Sequence, residues 1–214
     1  MRVYRLEDIA RDVRIAIDRN GASDALVEIG DVDTLMLDDI IKSKILGAVK
    51  RVHCEAPVHL IDGGHSFGDK TALFWQDLGS GWVLLPEDFM RFVVFKMDDW
   101  EQPVFTCYNT DDTEYKKQHS RFKGVRGTAR HPICFVSIRP EGRVLEFYSS
   151  KNDEAEITQA VYLPYPKVDE YGSIEICQRC YDAVIYATAS LVMATLGDTE
   201  KSKAFNELSK TELL

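Results

Sequence analysis

Long apolar runs are missing from this 214-residue chain. No stretch approaches the about 20 consecutive apolar residues that cross a bilayer. A membrane span is therefore not expected, and no membrane partner is. The N-terminus, MRVYRLEDIAR, lacks the apolar core of a secretory signal. Cysteine is sparse and odd in number: Cys54, Cys107, Cys134, Cys177 and Cys180. Such a scattered set does not build a disulfide framework and suits a reducing cytosol. Basic residues are in deficit, 26 against 35 acidic, for a net charge of −9. That balance argues against wholesale binding to nucleic acid or to an anionic membrane. No repeat or low-complexity tract is visible.

What is present is globular. The apolar fraction is 45% and the charged fraction 29%, which argues against disorder. A chain of this mass folds to roughly 10,000 Å² of exposed surface from roughly 35,000 Å² extended, so one or two cores form without staples. All seven prolines lie between Pro57 and Pro166, and 17 of the 22 aromatics lie between Phe67 and Tyr165. Both residue classes favour turns and strands over helix interiors. The distribution predicts helical ends around a β-rich middle.

The first predicted helix runs from about Leu6 to Asn20, with Ile9, Val13, Ala16 and Ile17 on one stripe and Asn20-Gly21 as its stop. The second runs from about Thr34 to Glu55, with Leu37, Ile41, Ile45, Ala48 and Val52 facing inward. Strands are predicted at Val58 to Ile61, Lys70 to Gln76, Gly81 to Leu85, Val104 to Asn109 and Ala160 to Leu163. Met90 to Met97 reads as strand or short helix. Ile133 to Arg139 and Arg143 to Ser149 form a hairpin turned at Pro140-Glu141-Gly142. Ile174, Cys177, Tyr181, Val184, Thr188, Leu191 and Val192 follow helical spacing, Gly197 stops that helix, and Asp198 or Thr199 caps a last one through Leu208. The expected fold is α+β. A helical bundle forms from residues 1–62 and 169–214, and an antiparallel β module, 63–168, is inserted between them.

Gly64-His65-Ser66-Phe67-Gly68 matches the nucleophile elbow G-x-S-x-G. That chemistry needs a strand delivering the serine to a strained turn, with a helix behind it. Here Asp69 to Trp75 reads as strand, and only two helices precede the site. A glycine-rich domain boundary is the favoured reading, and a serine hydrolase using Ser66 stays a rival. Gly63, Gly68 and Lys70-Thr71 nearly spell a phosphate loop, but Asp69 puts a negative charge where backbone amides should cradle phosphate. Cys177-Gln178-Arg179-Cys180 is a single C-x-x-C. Structural zinc wants four ligands, and adjacent His53 and Cys54 make a poor second pair. Packing of Cys177 and Cys180 is favoured over metal or redox chemistry. No cofactor, metal or catalytic set is expected.

The strongest charge anomaly is Tyr115 to His131. It holds Lys116, Lys117, Arg121, Lys123, Arg126 and Arg130 without one acid, interleaved with Phe122 and two histidines. Such a segment meets phosphates or an acidic protein surface, or is a solvated loop. Asp111, Asp112 and Glu114 just before it, with Asp98 and Asp99, offer a neighbouring copy a complementary face. The six cations are the candidate subunit or DNA interface. A small nucleic-acid-binding module using residues 115–131 is the second rival.

The order of these pieces is familiar. DDIIKSKILGAVKRVHCEAPVHLI leads into DGGHSFGD, then WVLLPEDFMRFVVFKMDDW, QHSRFKGVRGTARHP, ICFVSIRPEGRVLEFYSS and finally YDAVIYATASLVMATLGDTEKSKAFNELSK. From about Asp33 to Leu208 the chain resembles the head-to-tail adaptor, or neck ring, proteins of short-tailed bacteriophages, particularly crAss-like and related Bacteroidetes phages. The resemblance implies packed helices with an inserted β module. It implies about twelve copies in a ring beneath the portal, contacts to portal and other neck or tail proteins, and DNA passing through without sequence readout. It also implies synthesis in the host bacterial cytoplasm and residence in the virion. An acidic channel suits that task, because like charge weakens phosphate contact.

Overall fold

The computed structural model describes residues 1–19, 37–68, 73–76, 79–151 and 153–214, apart from the side chains of Asp18, Arg19 and Lys123. The chain divides into two compact units, Met1–Gly63 with Tyr165–Leu214, and Gly64–Pro164. Among the described residues, no helix is long and apolar enough to cross a membrane.

The first unit mixes helix and sheet. Strand β1 (Arg2–Arg5) leads directly into helix α1 (Leu6–Arg19), and α2 spans Leu37–Glu55. Much later come β10 (Ser173–Ile176), α4 (Tyr181–Thr195) and α5 (Thr199–Thr211). Strand β1 pairs antiparallel with β10, with Tyr4 opposite Ile174. Helix α4 is apolar nearly all round and packs against α1, α2 and α5, as a helix buried on several sides must. Its neighbours contribute Ile9, Val13, Ile41, Ile45, Val49 and Phe205 to the core. Two buried hydroxyls of α4 are satisfied by backbone carbonyls: Thr188 Oγ1 donates to Val184 O at 2.7 Å within the helix, and Ser190 Oγ to Ser202 O of α5 at 2.8 Å. Gly197, at φ +87°, ends α4, and the Asp198 side chain caps α5 by accepting from Lys201 N at 3.0 Å.

The second unit is a two-sheet sandwich. Its strands are β2 (His65–Ser66), β3 (Leu73–Gln76), β4 (Ser80–Leu84), β5 (Phe89–Met97), β6 (Cys107–Asn109), β7 (Ile133–Arg139), β8 (Gly142–Tyr148) and β9 (Ile157–Pro164). One sheet runs β2-β9-β5 and the other β3-β4-β8-β7-β6. Alternation along the strands sends Val83, Leu145, Phe147 and Cys134 toward Phe92, Phe95, Met97 and Tyr162 of the facing sheet and toward Phe67, just after β2. Phe95 and Phe147 meet across this core at 5.8 Å between centroids. A short helix, α3 (Thr113–Gln118), lies between β6 and β7 in sequence.

The architecture is therefore mixed α/β, with ten strands in three sheets and five α-helices among the described residues. It is not a helical bundle carrying an inserted antiparallel β module. The helical ends carry a sheet of their own, and β6 pairs with β7 in parallel. Ile174 and Cys177 do not extend α4. Ile174 lies on β10, and Cys177 precedes the 3-10 turn Gln178–Cys180 that opens into α4. The spacing of Ile174 and Cys177 mimics a helix stripe, but Ile174 pairs with β1 and Cys177 N donates to His53 Nε2 instead. Val58 to Leu60 forms a 3-10 turn rather than a strand, with Leu60 N donating to Pro57 O at 3.0 Å. Met90 to Met97 belongs to strand β5. The expected helix positions Asn20 and Thr34, the Gly21 stop, the strand start at Lys70 and turn residue Leu78 lie outside the described residues.

Candidate functional site on the far face of the five-stranded sheet

The face of the five-stranded sheet turned away from its core is neither plainly polar nor plainly apolar. Register places Phe74, Trp82, Glu146, Phe135 and Tyr108 in one row across all five strands. Tyr148 and Ser80 stand one step along on that face, and Ser137 and Arg139 lie on the other side of the row. Glu146 is at the centre and only 3% exposed. Such a carboxylate survives burial only with partners. Its Oε1 accepts from Ser137 Oγ at 2.7 Å and from Arg139 Nε and Nη2 at 3.0 and 2.8 Å. Its Oε2 accepts from Tyr148 Oη at 3.0 Å and Tyr115 Oη, from α3, at 3.3 Å. Burial pushes the carboxyl up, but the hydrogen bonds from Ser137, Arg139 and Tyr148 and the Arg139 charge outweigh it and hold the group below its ordinary value. Burial and the same carboxylate raise Tyr148 and Tyr115.

Aromatic rings clamp the cationic partner. The Arg139 guanidinium lies 5.2 Å from the Trp82 centroid, and Trp82 stacks on Phe74 at 4.1 Å. Gln76, with its amide oxygen turned to the guanidinium, accepts from Nη1 and Nη2 at 2.9 and 2.8 Å. On α3 the Tyr115 ring packs edge-on against Phe135, and His119 packs edge-on against Tyr115 and Tyr148. Beside this network opens a cleft of about 580 Å³ whose lining includes Gln76, Ser80, His119, Arg126, Tyr148 and Ser149.

The six cations singled out in the sequence have different settings here. Lys116 is exposed on α3. Lys117 pairs with Glu114. Arg121 covers the ring of Phe122 at 5.2 Å. Lys123 stands in the 3-10 turn Lys123–Val125. Arg126 Nε donates to Ser120 O at 2.6 Å, and Arg130 Nε lies 3.9 Å from Glu101. Their charge is thus balanced partly within the chain. Several of the nearby acids are also occupied: Asp98 accepts from Glu156 N, Asp99 from Ser150 Oγ and Asp112 from Asn109 N.

The other motifs of the sequence are described only in part. Ser66 is exposed on β2, opposite Val161 of β9, and not on a strand-to-helix turn. The flanking glycines serve close packing. A Cβ at Gly64 would lie 2.6 Å from Tyr162 O, and one at Gly68, where φ is +72°, would lie 2.8 Å from Val83 Cγ2. Asp69, Lys70 and Thr71 of the phosphate-loop-like stretch lie outside the described residues. Cys177 and Cys180 are fully buried. His53 Nε2 accepts from Cys177 N at 3.2 Å, and the hydrogen bond with Cys180, then burial, raise the Cys177 thiol. Among the described residues, no group of three or more His, Cys, Asp or Glu side chains could hold a metal ion.

The reading of the sequence did not find Glu146. In the run Leu145-Glu146-Phe147 it looks like an ordinary outward-facing polar residue. The hairpin register was the usable signal. A turn at Pro140-Glu141-Gly142 sets Phe135 opposite Glu146 and puts Ser137 and Arg139 on the same face. No protein-family model matches the chain, and no curated protein matches it either.

Proposed function

We propose that the chain is a virion structural protein, a head-to-tail adaptor that assembles as a ring of about twelve copies between portal and tail, with no catalytic role. The observation that supports this most is the surface composition of residues 105–130. Phe105, Phe122 and Val125 are 51%, 62% and 48% exposed, alongside the exposed cations Lys116 and Arg121. Isolated apolar residues on a surface are ordinary. Aromatic residues and arginine together are what protein interfaces concentrate, and an acidic chain offers its own copies and other neck proteins a complementary charge. The net charge of −9 also suits a passage through which DNA moves without adhering. In this reading the protein is made in the bacterial cytoplasm and resides in the virion neck.

Changing Lys116, Arg121 and Lys123 together to Glu tests the reading. Exposed ion pairs contribute about 0.2 to 1 kcal/mol each, so three reversed charges should weaken subunit affinity roughly tenfold or more. Circular dichroism should stay at the wild-type signal. High salt should weaken wild-type assembly in the same direction. A variant that assembles and enters particles normally, but has lost DNA binding, would instead support the nucleic-acid module.

A further inference from the structure

Two surface features of the chain complement each other in size and charge. The first is a short turn in the second unit. Phe122 and Val125 stand on it 62% and 48% exposed, and the Arg121 guanidinium lies 5.2 Å from the Phe122 ring centroid. The turn is fixed from within. Phe122 N donates to Ser120 Oγ at 3.2 Å, Arg126 Nε to Ser120 O at 2.6 Å, and Gly127 N to Oε1 of the buried Gln118 at 2.8 Å. Among the described residues Arg121 has no acidic partner. Single exposed apolar residues are ordinary. An aromatic ring, a second apolar side chain and a guanidinium on one turn have the composition of an interface anchor. Ordering them in advance lowers the entropy lost on binding.

The second is a hollow of about 200 Å³ between α1 and α4 of the first unit. Ile15, Ala16 and Ile185 give it apolar walls, and Asp12 and Asp182 bring two carboxylates to it. One wall is braced: Tyr181 Oη donates to Asp12 Oδ2 at 2.7 Å, and Tyr4 stacks on Tyr181 at 4.4 Å between centroids. Asp12 Oδ1 also lies 3.7 Å from Arg11 Nε. Asp182 is exposed and has no cationic partner among the described residues. An apolar cavity of about 150 Å³ accepts benzene, so this hollow has room for a phenylalanine ring. Its carboxylates suit the guanidinium stacked on that ring.

We infer that the Phe122 turn of one copy seats in the α1–α4 hollow of the next, with Phe122 against Ile15 and Ile185 and Arg121 paired with Asp182. The two surfaces differ, so the contact is head-to-tail, the kind that makes a ring when its rotation closes. It rests on the ring reading above and names the surfaces that join. Native mass spectrometry of the whole chain, with and without a portal protein, tests it on two variants. Phe122→Asp removes the anchor, and Ile15→Lys with Asp182→Lys blocks the hollow. All three positions are exposed, so circular dichroism should stay at the wild-type signal. Each variant alone should self-associate about thirtyfold more weakly, as loss of an interface anchor predicts. Mixed in equal amounts they should form a heterodimer and stop there, because one keeps the hollow and the other keeps the turn. Variants that assemble as wild type does, or a mixture that yields no heterodimer, would overturn the contact, while wild-type rings would still uphold the adaptor reading. Wild-type chains that stay single with and without the portal protein would overturn both. Unchanged self-association of Phe122→Asp with portal binding lost would seat the turn on another protein and equally overturn the contact.

Discussion

Glu146→Ala should destabilise the protein by about 3 to 5 kcal/mol, the range for removing one partner of a buried ion pair. The loss is large because the carboxylate serves five donors at once, from Ser137, Arg139 (two), Tyr148 and Tyr115. Alanine would strand a guanidinium already committed to Trp82 and leave two tyrosine hydroxyls to find water. Glu146→Gln keeps the shape and an acceptor but removes the charge, so it should cost less. The same group predicts an acid dependence. Folding holds the Glu146 carboxyl below 4.5, its ordinary value. Its stabilisation is therefore complete above about pH 4.5 and is lost as pH falls through the folded-state value. Urea unfolding from pH 7 downward should show a steeper loss below that point in wild type than in Glu146→Gln. Equal acid slopes would mean that the carboxylate does not hold this face together.

Gly79→Ala should be nearly as damaging, for a reason of backbone rather than charge. Gly79 has φ +69°, and a Cβ there would lie 2.1 Å from Ser150 O, a backbone atom that cannot swing aside. Its carbonyl accepts from Ser149 N at 3.1 Å and Ser150 N at 2.8 Å, so it clamps the start of β4 to the end of β8. The left-handed conformation costs an alanine about 1 to 2 kcal/mol. Forcing an extra methyl into a packed site costs about 1 to 3 kcal/mol more. Gly172→Ala is the control. Its φ is +70°, but nothing lies within 4 Å of the added Cβ, so it should lose the conformational part alone. Equal losses at the two positions in chemical denaturation would remove the steric half of this explanation.

How much of this was legible in the sequence depended on how local the determinants were. Helix α1 was readable from Ile9, Val13 and Ile17, because a stripe of that spacing has one use. The β7–β8 hairpin was readable from its Pro140-Glu141-Gly142 turn. Strands β1 and β10 were not: they are four residues each and are separated by most of the chain. Ile174 and Cys177 were drawn into a helix because three-residue spacing fits a helix locally, while the partner that makes β10 a strand sits at Arg2–Arg5. The Glu146 network was hidden for the same reason. Tyr115 reaches it from α3, 31 positions away; the hairpin register sets Ser137 and Arg139 on the face of Glu146 but does not show that this face is covered. The basic segment was visible as charge, but the sequence could not show that Lys117 and Arg130 have acids of their own chain beside them.

Electron microscopy of the purified chain, alone and mixed with a portal protein, tests the central claim most directly. The adaptor reading predicts closed rings in at least one of the two samples, with native mass a multiple of the 24.3 kDa chain. Particles that remain single chains in both samples, across the concentrations at which a neck ring would assemble, would contradict it.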